Sequence, residues 1–142
     1  MRVCYHFQML NTFPSLLSYS WYAPFILRVV LGIILIDVGS LKFRGERADW
    51  VKAFDAYKIR PAKFFVSLFA LFEIVGGALL LIGLYTQTAA LAFVVLSGIE
   101  FYTEYTEGNI LRRDIVFYAL VFAIALSLLL TGAGAYAKDL PL

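Results

Sequence analysis

Four apolar runs dominate the sequence: roughly Pro24 to Phe43, Ala62 to Leu84, Thr86 to Tyr102 and Asp114 to Thr131. Each holds about 17–23 residues, enough to cross about 30 Å of hydrocarbon as a helix. Lipid offers the backbone no hydrogen-bond partner, so helix is the state open to such runs. Composition agrees, with 62% hydrophobic and only 15% charged residues over 142 positions. A soluble domain of this size cannot bury that much apolar surface in one small core. The expected fold is therefore all-α, a polytopic membrane four-helix bundle. It has one domain at residues 24–139 with helices near 24–43, 62–84, 86–102 and 114–131, and a short end at 140–142.

Residues 1–23 read as a lead-in lying outside or at the interface. They contain Arg2 and Pro14 and no continuous apolar stretch of signal-peptide length. Met9 is an alternative start, and would remove Cys4 and His6, the lone cysteine and lone histidine. One thiol and one imidazole exclude an internal disulfide, a CxxC exchange pair, bis-histidine haem ligation and a zinc cluster. No metal site is expected, and no cofactor is evident.

Loop charge gives a direction. Lys42, Arg44, Arg47, Lys52, Lys58, Arg60 and Lys63 cluster between the first two runs and at their facing ends, and Arg112 and Arg113 precede the fourth. These are nine of the twelve basic residues. The positive-inside rule puts both loops in the cytoplasm and both termini outside. The expected location is a bacterial or archaeal cell (inner) membrane. The membrane accounts for this basic charge, and no nucleic-acid partner is implied. In the first loop Trp50, Ala53, Phe54 and Tyr57 recur at helical spacing. That pattern suits a short interfacial helix, although an aromatic belt with basic anchors is the simpler and favoured account.

Charges inside the runs are candidate functional groups, because each costs a few kcal/mol or more in lipid. They are Arg28, Asp37, Glu73 and Glu100. At about 100° per residue, Arg28, Gly32, Leu35, Gly39 and Lys42 fall within about 40° of one line, and Asp37 lies opposite. The glycine line should pack against another helix. Glu73 stands near the centre of the second run, followed by Gly76 and Gly77. Arg28 can turn inward to Glu73, extend outward to the interface, or meet Asp139 of the tail. Asp37 can make a polar contact between helices or line a cavity. Glu100, Glu104 and Glu107 form an acidic stripe, expected as a solvated face or as salt bridges to the basic loops.

These segments resemble the DoxX family, within the group that includes MauE-like proteins, from about Ile26 to Asp139. Arg28-x3-Gly32 through Gly39-x2-Lys42 is similar to the family's opening, and Phe54 to Pro61 to its Tyr-to-Pro loop. Glu73-x2-Gly76-Gly77 through Gly83-Leu84 resembles its most specific segment. Gly132-Ala-Gly134-Ala-Tyr136-Ala-Lys-Asp139 resembles its terminus, with Ala137 in place of a usual serine and Lys138 in place of an apolar residue.

The resemblance implies a four-helix membrane fold. It also implies association with membrane redox assemblies such as thiosulfate:quinone oxidoreductase. The disulfide-maturation role linked to MauE-like relatives lacks its cysteine pair here. Three functions follow as expectations. One is an accessory or anchoring subunit of a redox partner near the quinone pool. A second is a small homo-oligomeric transporter or proton-coupled channel using Glu73. The least supported is an enzyme holding quinone in an apolar pocket near Arg28, Glu73 and Tyr118.

Overall fold

A computed structural model describes residues 18–107 and 113–138. Cys4, His6, Met9, Arg112 and Asp139 lie outside the described residues. Five helices follow one another: α1 (Tyr22–Arg44), α2 (Arg47–Ala56), α3 (Ala62–Ile82), α4 (Thr86–Glu107) and α5 (Ile115–Thr131). There is no strand among the described residues. The chain is thus all-α. Its helices end where local chemistry demands it. Pro61 caps the start of α3, where its missing N–H costs nothing. Gly83 closes α3 at φ 72°. Its N–H donates to the Leu80 carbonyl and that of Leu84 to the Leu79 carbonyl, a left-handed glycine cap.

α1 and α3 are long and apolar enough to cross a membrane. α5 is apolar over 17 residues. α4 has 22 residues, and continues five past the expected end at 102 because Thr103 to Glu107 keep helical geometry despite their polarity. α2 replaces the expected aromatic belt. It is a packed helix, with Trp50 and Ala53 buried against Val66 of α3 and Tyr118 of α5. Trp50, Ala53 and Phe54 of this spacing form a core-facing stripe, while Tyr57, just past α2, is exposed.

α1 lies along α3, and α4 along α5. The α1–α3 seam is a close backbone approach. A Cβ on Gly32 would stand 2.8 Å from the Gly77 carbonyl oxygen, and one on Gly77 would stand 2.8 Å from that of Gly32. Two turns further, a Cβ on Gly39 would stand 2.8 Å from the Ala70 carbonyl oxygen. Gly76, adjacent in sequence, serves the other neighbour, since its missing side chain is replaced by the Phe93 ring of α4. Leu31, Leu35, Leu80, Phe93, Val121 and Leu128 then fill the space among α1, α3, α4 and α5.

The carbonyls facing Gly32 belong to a helix backbone and cannot move aside. Gly32→Ala is expected to cost about 1–3 kcal/mol, as overpacking does. Gly98→Ala, whose new methyl would meet Phe122 at 3.7 Å, should be neutral or gain up to about 1 kcal/mol of helix propensity. Thermal unfolding of both variants in detergent checks the contrast.

Candidate functional site: a buried lysine between two carboxylates

The face of α1 that carries Gly32 and Gly39 continues to Lys42, whose side chain is fully buried. Helical side chains lean toward their own N-terminus. Lys42 therefore reaches back along α1 toward the Gly39 level, where Glu73 Cβ lies against the seam. Glu73 leans the opposite way, because α3 runs antiparallel to α1. The two meet, with Lys42 Nζ donating to Glu73 Oε1 at 2.5 Å. The same Nζ donates to Glu100 Oε1 of α4 at 2.7 Å.

Both carboxylates are buried. The rings of Trp50 and Phe69 complete the cage, with Nζ 4.0 and 4.1 Å from their centroids. An ammonium taken out of water needs this combination of acceptors and ring faces. The arrangement ties α1, α2, α3 and α4 to one cation.

A second charged group adjoins it. Arg113, just before α5, lies 3.6 Å from Glu46 and 3.5 Å from Asp37, with its guanidinium over the Phe117 ring at 4.6 Å. Glu46 is buried, whereas the Asp37 carboxylate is 65% exposed.

At the opposite end of the helices Arg28 is buried to 1% exposure. Its Nη1 donates to the Ala133 carbonyl at 2.8 Å, and its Nη2 to those of Ala135 and Tyr136 at 3.3 and 3.4 Å. Gly83 makes room, because a Cβ there would lie 2.5 Å from Nη1. The tail is held twice more, by Ala135 N–H on the Trp21 carbonyl and Lys138 N–H on the Gly83 carbonyl.

A family model described as DoxX matches residues 23–103, more than half of the chain. The chain belongs to the DoxX family. Together with its long apolar helices, this makes it a membrane protein. Searches of curated proteins and of solved structures return no match. Within this DoxX chain the matched region contains Arg28 and all three members of the Lys42–Glu73–Glu100 cluster. Arg113, Tyr118 and the tail lie beyond it.

Several sequence-based expectations change on this geometry. The Arg28–Glu73 pair does not form. Arg28 sits beside Gly83, ten residues along α3 from Glu73, which is about 15 Å of helix. Glu73 instead takes Lys42, which loop charge counts as an orientation signal. Of the two expectations for Glu100, the salt bridge forms, to Lys42, and it is buried and not on a solvated face. Asp37 lines no interior cavity, since it faces outward and meets Arg113. Tyr118 is buried with Trp50 and Val66, so Arg28, Glu73 and Tyr118 do not surround one pocket. The contact of Arg28 with Asp139 lies outside the described residues.

The cluster makes a specific stability pattern. Lys42→Met strands two buried carboxyls and should cost about 3–5 kcal/mol, the scale of breaking a buried pair from one side. Adding Glu73→Gln and Glu100→Gln to Lys42→Met should recover much of that loss. Thermal unfolding of the single and triple variants in detergent reads the difference.

Proposed function

We propose that this DoxX-family chain is a polytopic protein of a bacterial or archaeal cell membrane. In this reading α1, α3, α4 and α5 span the bilayer and α2 lies at the cytoplasmic interface. It serves as an accessory or anchoring subunit of a membrane-associated redox system near the quinone pool. The observation that carries the scaffold role is the Lys42 cluster, which joins α1, α2, α3 and α4. Lys42 pairs with Glu73 and Glu100 and so holds helices together, inside a shell of rings. What the chain offers outward is apolar helix surface, including Phe64, Leu68, Leu71 and Val75 of α3 and Leu91, Val95 and Ile99 of α4. Such surface suits lipid and neighbouring helices.

The redox setting is supported by family resemblance alone. The orientation is supported by charge, since Arg44, Arg47, Lys52, Lys58, Arg60, Lys63 and Arg113 gather at the α2 end. Affinity purification of the intact chain from native membranes in mild detergent should retain a redox protein in fixed stoichiometry. Recovery of the bare chain would count against this role.

One observation favours a second reading, a small oligomeric proton-coupled channel or transporter. The cluster holds two carboxyls against one ammonium, well inside the span of α3. Proteoliposome flux should then be lost in Glu73→Gln, and flux unchanged by that substitution removes Glu73 from any transport mechanism.

A further inference from the structure

α1 has a second face. Ile26, Val30, Ile33, Asp37 and Arg44 lie within about 40° of one line at 100° per residue, opposite the Gly32–Gly39 seam. All five are exposed. The spacing of four, three, four and seven residues is the seam pattern of two helices packed side by side. Within this apolar stripe Asp37 is anomalous. Its carboxylate stands about 10 Å of helix rise inside Arg44, on the surface that the proposed topology gives to lipid, where a carboxylate is costly.

Among the described residues the charge around it is unbalanced. Arg113 is shared between Asp37 and the buried Glu46. Among the described residues the group thus holds two carboxyls and one guanidinium. A second copy of this chain would not correct that. Copies with a common topology pair about an axis along the membrane normal, which places like patches together. Two negatively charged groups would then share one depth. A cationic side chain from another protein would balance the charge.

We infer that the Ile26–Val30–Ile33–Asp37 face of α1 is a docking surface for a transmembrane helix of a different protein, one that carries a lysine or arginine at the depth of Asp37. This rests on the accessory-subunit reading and specifies the face and the chemistry of the contact. Arg44, at the basic end of the stripe, is left to reach lipid headgroups.

The test uses the full chain in its native membrane, with a benzophenone amino acid placed at Ile33 and, separately, at Leu71 on the outward face of α3. The Ile33 probe should give an adduct with a membrane protein whose spanning helix holds a basic residue. Asp37→Asn should lower the yield about tenfold, the scale of one polar contact between helices in lipid. Asp37→Lys should abolish the adduct, and exchanging the partner's basic residue for aspartate should restore it. Asp37 is exposed, so Asp37→Asn should keep the elution volume and melting temperature of the parent.

The inference is overturned by an Ile33 adduct that is a dimer of this chain, by adducts with lipid only, or by a yield indifferent to Asp37→Asn. A redox partner captured from Leu71 but not from Ile33 also overturns it and leaves the accessory role standing. No protein adduct from either probe, with no co-purifying partner, removes both.

Discussion

Everything near the centre of this protein depends on one ammonium group removed from water. Lys42 lies in an apolar interior, where an unpaired cation would be strongly destabilising. Its survival there requires acceptors delivered from other elements. Glu73 comes from α3 and Glu100 from α4, while Trp50 of α2 and Phe69 of α3 supply ring faces. Each of these elements is consequently fixed relative to α1. Hydrophobic contact alone would leave them free to slide, since lipid is as apolar as leucine.

The cluster in turn needs the glycine seam. Gly32 and Gly77 bring the α1 and α3 backbones together, and Gly39 does the same near Glu73. With the axes that close, a lysine on one helix and a glutamate on the other reach each other while both leaning toward the same level. Larger residues along the seam would hold the helices apart and lengthen the contact. Gly83 plays the matching part at the other end. Its left-handed backbone and missing side chain admit the Arg28 guanidinium beneath the tail, and three tail carbonyls satisfy it.

The two ends thus do different work. One end binds helices through buried ion pairs, and the other fastens the tail through an arginine on neutral carbonyls. Membership of the DoxX family covers the residues of the first device and the arginine of the second. Asp37, on the outward side of α1, meets Arg113 and takes part in neither device.

The sequence by itself determined the helical class, the apolar runs and the face of α1 that packs. It did so because apolar length and a 100° repeat are local properties. The same arithmetic already put Lys42 on the line of Arg28, Gly32 and Gly39, although the basic residues that follow it made it read as a loop charge. Only the tertiary structure decided the partners. Arg28, Lys42, Glu73 and Glu100 could be matched in several ways, and the choice depends on how far one antiparallel helix is shifted along another. That shift is set by glycine contacts between residues far apart in the chain. The same holds for α2, whose aromatic spacing fits an interfacial belt equally well until Val66 and Tyr118 supply the surface it is buried against.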